Sequence, residues 1–208
     1  EKEYERSLDK GRRIWEGGLT LGDMGTRRRF SFAHQERVID ALIASYEEVK
    51  RETEGKCGKF TGTSNVYLAM KKNIPCLGTM SHQCISFEEI VSGVFECNYN
   101  VMNKWSEVYD GNVGIFLYDC FGDNVFFGNL SKRMAMTFSG LRIDSGVEEE
   151  QVDLIVEKYK QLGIDPMTKT LLFSDSLDFQ KADELFRYFR DRAKVAFGIG
   201  TYISNDTH

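Results

Sequence analysis

Seven short segments of this chain set small or acidic residues directly after apolar runs, and most carry a charge. In order they read Gly25-Thr26-Arg27-Arg28-Arg29, Gly62-Thr63-Ser64-Asn65, Gly78-Thr79-Met80-Ser81-His82, Asp119-Cys120, Gly140-Leu141-Arg142-Ile143-Asp144-Ser145-Gly146, Ser174-Asp175 and Gly198-Ile199-Gly200-Thr201. Gly-Thr stands in four of them. Glycine lets backbone N–H groups come close to an anion, and the threonine hydroxyl adds a donor. Together with the arginines, these turns describe a pocket for phosphate or carboxylate groups. Any one of them alone reads equally well as a tight strand-to-helix turn that needs glycine.

Within these segments a few side chains stand out for chemistry. His82 is one of three histidines and follows a Gly-Thr pair, whereas His34 begins an amphipathic stretch and His208 is the last residue. Placed there, an imidazole can serve as nucleophile or general base, or be a structural histidine. Arg142 and Asp144 alternate on an extended segment and share a side, so one can grip an anion and the other a sugar hydroxyl or hydrated metal. The alternative is an internal Arg–Asp ion pair. Asp119 and Asp175 end the two most apolar runs; with Asp144 they suit Mg²⁺-phosphate and ribose binding. Gly198-Ile199-Gly200-Thr201 is the best phosphate loop of the set.

Something must bring these segments to one place. Candidate strands cover Leu19–Met24, Lys59–Thr61, Ile74–Leu77, Val113–Tyr118, Thr137–Ser139, Thr170–Phe173 and Val195–Phe197. Helical apolar stripes follow at Val38, Ile39, Leu42, Ile43, Tyr46 and Val49, at Val152, Ile155, Val156, Tyr159 and Leu162, and at Phe179, Ala182, Leu185, Phe186 and Phe189. Asp178 is placed to cap the third of these helices, and Gly163 to stop the second. Glu148, Glu149 and Glu150 at a helix start, and Arg187, Arg190 and Arg192 late in another, read as solvated faces. The βαβα rhythm and the near-continuous apolar strands indicate an α/β fold whose sheet is parallel and covered on both faces. Without a dinucleotide fingerprint, a TIM-like (β/α) barrel of about seven parallel strands is favoured over an open doubly wound sheet. It would be incomplete in this chain.

The chain has 208 residues, 41% hydrophobic and 28% charged, with a formal net charge of −5. That composition supplies one sizeable core, so residues 1–208 read as a single catalytic domain. The net negative charge opposes general binding to nucleic acid or anionic membranes. No apolar run is long enough to span a bilayer and the first residues are too charged for a signal peptide, so the protein reads as soluble and cytoplasmic. Five cysteines without a Cys-x-x-Cys pair indicate neither a disulfide framework nor a zinc site. A first residue that is Glu rather than Met, and an end that falls just after a Gly-rich turn, suggest a fragment or isolated domain.

Six of the motifs, Gly25 to Ser31, Gly62 to Asn65, Gly78 to His82, Gly140 to Gly146, Phe173 to Asp178 and Phe197 to Thr201, resemble those of nicotinate phosphoribosyltransferases, in that family's order and over almost the whole chain. The resemblance implies transfer of phosphoribosyl from phosphoribosyl pyrophosphate to nicotinate, giving nicotinate mononucleotide and pyrophosphate, with Mg²⁺ and coupling to ATP hydrolysis. This is an entry step into NAD. It implies that His82 is phosphorylated by ATP and acts as an energy-coupling nucleophile. By the same resemblance Arg27 and Arg142 hold nicotinate or pyrophosphate, and Asp144, Ser145 and Asp175 belong to the phosphoribosyl site. Gly198, Gly200 and Thr201 receive the 5′-phosphate, and Asp119 supports the ribose or Mg²⁺. No protein ligand set for the metal is assigned.

Asn65 bears on substrate choice, because related nicotinamide-using enzymes place an aspartate there, and an aspartate would repel nicotinate's carboxylate. Two positions depart from the family pattern: Met24 stands where an aromatic residue is usual before Gly25, and Val147 where Asp or Asn usually follows Gly146. The resemblance further implies an additional N-terminal region that this chain lacks and a homodimer with shared active sites. Two other readings stay open: a phosphate-binding barrel fragment without turnover, and the related nicotinamide-using transferase.

Overall fold

Local sequence signals start and stop most of the elements. The structure, a computed structural model, describes residues 2–205. Its helices are α1 (Lys2–Glu16), α2 (Phe32–Glu52), α3 (Val66–Lys72), α4 (His82–Ser92), α5 (Cys97–Val108), α6 (Asp123–Asn129), α7 (Lys132–Thr137), α8 (Glu148–Gln161), α9 (Phe179–Phe189) and α10 (Thr201–Ser204). Its strands are β1 (Thr20–Asp23), β2 (Lys59–Thr63), β3 (Ile115–Leu117), β4 (Gly140–Ile143), β5 (Thr170–Phe173) and β6 (Lys194–Ile199). Ser31, Asn65 and Ser131 cap α2, α3 and α7 through their side-chain oxygens, and Asp178 Oδ1 accepts from Lys181 N at 2.7 Å at the start of α9. Each cap satisfies an N–H that the first turn leaves without a partner.

The chain divides into two units, one of Glu1–Gly78, Ser176–Tyr188 and Val195–His208, the other of Thr79–Asp175 and Phe189–Lys194. In the first, β1 runs parallel between β2 and β6, with Asp23 in register with Thr63 and Ile199. The three strands therefore end level, and the residues after them collect at one edge. Trp15, Leu21, Ile39 and Leu42 fill the core, and Trp15 Nε1 donates to Ser45 Oγ at 3.0 Å.

In the second unit, β4 runs parallel between β3 and β5, with Arg142 opposite Leu117 and Leu172. Its core is aromatic. Phe116 stacks on Phe126 at 5.7 Å and meets Phe138 edge-on at 5.4 Å, a geometry that adds to the area the rings bury.

The α/β class with parallel strand pairing is as the sequence indicates, but the strands number six among the described residues, not about seven. Neither unit's three strands close on themselves into a barrel. Ile74–Leu77 forms only an isolated bridge, Cys76 with Thr63, because Pro75 has no N–H to offer a ladder. Of the expected strand Thr137–Ser139, Thr137 belongs to α7, which the Ser131 cap starts, and Phe138 and Ser139 lead into β4, which begins at Gly140. No described helix is long and apolar enough to cross a membrane.

Candidate active site

His82, Asp119, Arg142, Asp144 and Ser145 meet in the second unit. Each stands at or just past the end of a strand or at the start of the helix that follows. His82 opens α4, and 43% of its side chain is exposed. Its Nε2 lies 3.3 Å from Asp119 Oδ1 and 3.9 Å from Asp144 Oδ2. A carboxylate only accepts, so an imidazole that donates to Asp119 must carry its proton on Nε2. Nδ1 is then the nitrogen with a lone pair to use.

Asp119 is 7% exposed at its side chain. Its Oδ2 accepts from Ser145 Oγ at 2.5 Å, while its Oδ1 is buried and accepts no hydrogen bond among the described residues. Leaving a buried polar atom unsatisfied costs about 1–3 kcal/mol, and a charged one costs more. The imidazole is the nearest donor able to relieve that cost.

Arg142 is held in three directions. Nε donates to Ser174 Oγ at 2.7 Å, Nη1 to Thr79 Oγ1 at 3.0 Å and Nη2 to Asp144 Oδ1 at 2.7 Å. Three of the five guanidinium N–H groups are thereby fixed, which leaves two pre-aimed donors for an anion. Ser174 also donates to Asp144 Oδ1. Burial opposes ionisation of Asp144, but the Ser174 hydroxyl, Arg142 and His82 outweigh it and hold the carboxyl below the ordinary range. The expected same-side placement of Arg142 and Asp144 is present, and it takes the form of an ion pair.

Cys120, next to Asp119, is kept as a neutral thiol. Burial, reinforced by the charge of Asp119, pushes it up to about 12. Asp175 is exposed in the bend after β5.

A second polar cluster lies at the strand ends of the first unit. Asp23, the last residue of β1, is fully buried and accepts from Gly25 N at 2.9 Å, Gln35 Nε2 at 2.8 Å and Thr63 Oγ1 at 2.6 Å. Burial raises its pKa and the three donors work the other way. Gln35 extends the network, its amide oxygen accepting from Asn65 Nδ2 at 3.3 Å and Arg29 Nη1 at 3.2 Å. Asn65 caps α3 through its oxygen, with Leu68 N 3.1 Å away. One N–H of its amide is left over.

Gly25 has no room for a side chain: a Cβ there would stand 2.1 Å from Ser204 Oγ, which donates to Gly25 O at 2.9 Å. Arg27 is exposed and forms no ion pair among the described residues. Gly198 ends deep in β6, Gly200 precedes α10 and Thr201 is its exposed first residue. Met24 lays its sulfur over the Gly198 backbone. Arg27, Asn65, Gly198, Gly200 and Thr201 thus share the first unit, while His82, Asp119, Arg142, Asp144, Ser145 and Asp175 share the second. His208 lies outside the described residues.

The sequence reading missed Asp23 and Gln35 as members of these networks, and it placed Thr79 and Ser174 in the pocket segments without giving either a partner. A carboxylate inside the apolar run Leu19–Met24 was a usable signal for Asp23, since a buried charge needs partners. Gln35 gave none, being one polar residue on a long helix.

A sequence model of the nicotinate phosphoribosyltransferase (NAPRTase) family matches residues 19–208. The chain is 39% identical over 186 residues to the nicotinate phosphoribosyltransferase of Vibrio vulnificus strain YJ016, a match covering 89% of this chain and 40% of that protein. It is 35% identical over 203 residues to the nicotinate phosphoribosyltransferase of Methanosarcina acetivorans, covering 98% of this chain and 47% of that protein. The crystal structure of nicotinate phosphoribosyltransferase from Porphyromonas gingivalis superposes with a TM-score of 0.90 at 38% identity, covering 100% of this chain and 51% of that one. The chain spans about half, or somewhat less, of the length of these relatives.

Proposed function

The chain belongs to the nicotinate phosphoribosyltransferase family, and from that we propose that it carries the catalytic centre of an enzyme joining nicotinate to phosphoribosyl pyrophosphate, with release of pyrophosphate. The observation that carries this reading is the second unit's cluster, in which His82, Asp119, Asp144 and Arg142 are linked by distances of 2.7–3.9 Å. Transfer passes through a ribosyl cation as a highly anionic group leaves. Fixed guanidinium donors stabilise that leaving group without reorganising during the reaction. Arg142 has the donors, and Arg27 is an exposed cation available to the same anion class.

In this reading His82 attacks the γ-phosphorus of ATP, the bond to the bridging oxygen breaks and ADP leaves. Asp119 holds the Nε2 proton, which aims Nδ1 outward as the nucleophile. Asp144 is divided between His82 and Arg142, so a change of charge on the imidazole alters what Arg142 feels. Asn65, a neutral side chain, tolerates the carboxylate of nicotinate and supports acid over amide.

Mg²⁺ fits this donor set in one form. Among the described residues no group of three His, Cys, Asp or Glu side chains is placed to hold a metal. Mg²⁺ is commonly held by one or two carboxylates together with substrate phosphates, and Asp144, whose Oδ1 takes the bonds from Arg142 and Ser174, has Oδ2 available for that. Bound so, the ion would neutralise charge on the pyrophosphate.

A cytoplasmic, homodimeric enzyme whose complete fold is a TIM-like barrel is the setting proposed for this site. The test is incubation of the full-length protein with radiolabelled nicotinate, phosphoribosyl pyrophosphate and Mg²⁺, with and without ATP. Labelled mononucleotide, formed faster with ATP, is expected; none in either condition overturns the proposal.

A further inference from the structure

Gln151, the fourth residue of α8, lies beneath the loops that carry Asp119 and Ser145 and belongs to none of the groups assigned above. Tyr118, which precedes Asp119, is fully buried, and a buried phenol needs a partner. Its hydroxyl donates to Gln151 Oε1. At the other end of the amide, Nε2 donates to Asp123 Oδ2 at 3.2 Å. Because Asp123 only accepts and the phenol donates, the orientation of the amide is fixed by its partners.

The loop after β4 rests on the same amide. Gly146 has φ +86°, and a Cβ at that position would stand 3.1 Å from Gln151 Nε2 and 3.2 Å from its Cγ. One side chain therefore bonds the residue before Asp119 and fills the space where a side chain on the residue after Ser145 would stand. Above it, the hydrogen bond of 2.5 Å from Ser145 to Asp119 joins the two loops directly. With either tie cut, Asp119 is free to turn away from the imidazole.

We infer that Gln151 is a positioning residue: by holding Tyr118 and Gly146 it fixes Asp119 beneath His82 and so sets the nucleophilicity of the imidazole. The inference rests on the reading of His82 as a nucleophile, but its test needs no turnover.

The rate at which diethyl pyrocarbonate modifies His82 at pH 8 is to be followed by mass spectrometry in the full-length protein. Loss of a carboxylate partner makes an imidazole a poorer nucleophile, so Asp119→Asn is expected to slow modification about threefold. Gln151→Leu should slow it by the same factor. In a protein already carrying Asp119→Asn, Gln151→Leu should add nothing, because both act through one carboxylate. Tyr118→Phe removes a single oxygen and tests the same link with the core filled, should Gln151→Leu fold poorly; it is expected to match.

No slowing in Tyr118→Phe and Gln151→Leu, or slowing that persists in full beside Asp119→Asn, overturns the inference. An inactive enzyme that shows the coupling defeats the transferase reading alone. An active one without the coupling defeats the positioning role alone.

Discussion

His82 Nε2 stands 3.3 Å from Asp119 Oδ1, a buried carboxylate oxygen that accepts no hydrogen bond among the described residues. Each carboxylate facing the ring keeps one oxygen clear of other bonds, since Arg142 and Ser174 bond Asp144 through Oδ1 and Ser145 bonds Asp119 through Oδ2. Asp119 Oδ1 is the nearer of the two free oxygens, 3.3 Å from Nε2 against 3.9 Å for Asp144 Oδ2. That difference in distance assigns the orienting role to Asp119. In the full-length protein, Asp119→Asn is expected to slow transfer of label from [γ-³²P]ATP to His82 on the order of 100-fold. His82→Ala should remove the alkali-stable label entirely and abolish stimulation by ATP while leaving basal mononucleotide formation. Labelling in His82→Ala equal to wild type would contradict the assignment.

Asp144 ties the site to acid stability. Its carboxyl is held below the ordinary range in the fold, against burial, by Ser174, Arg142 and His82. A depressed folded pKa stabilises the native state above the unfolded value of about 3.9 and loses that contribution as pH falls through the folded value. Asp144→Asn should therefore narrow the difference between urea midpoints measured at pH 5 and pH 3. A difference as large as in wild type would show that other carboxylates carry the effect.

Asp23 behaves in the opposite sense, because burial raises its pKa and its ionised form is held only by its three donors. Asp23→Ala removes the shared acceptor of Gly25 N, Gln35 Nε2 and Thr63 Oγ1. Leaving these donors buried and unmatched should cost about 2–4 kcal/mol in chemical denaturation. A cost under about 0.5 kcal/mol, the ordinary scatter of surface changes, would mean that the network contributes nothing net.

Val147 stands at the N-cap of α8 without a side-chain hydrogen bond and is half exposed. Its backbone is already extended, as a capping residue requires. Val147→Asp supplies the missing acceptor and should raise stability by about 1 kcal/mol. Glu148, Glu149 and Glu150 in the first turn already complement the helix dipole and now repel the new charge, so Val147→Ser is the control free of that repulsion. A loss of stability in both variants would place Val147 in packing that its exposure does not suggest.

Much of the scaffold was legible because its causes are local. Asp178 announced the start of α9, and Gly163, with φ +69°, the end of α8. The stripe from Val38 to Val49 is buried at Val38, Ile39, Leu42 and Val49 because helical spacing puts those residues on one face. The Gly-Thr turns, His82 and the Arg142–Asp144 alternation also show in the sequence, since each depends on neighbours a few residues away. Where a local signal misled, another local signal had prevailed: Pro75 kept Ile74–Leu77 out of the ladder, and the Ser131 cap carried a helix into Thr137.

Only the tertiary structure decided how those side chains are partnered. Arg142 finds Thr79 at a separation of 63 residues and Ser174 at 32, Ser145 finds Asp119 at 26, and Asp23 finds Thr63 at 40. Those distances along the chain carry no pattern of their own. They close because, within each unit, parallel strands in fixed register bring their ends level, and each buried charge there takes whichever donor that register sets beside it.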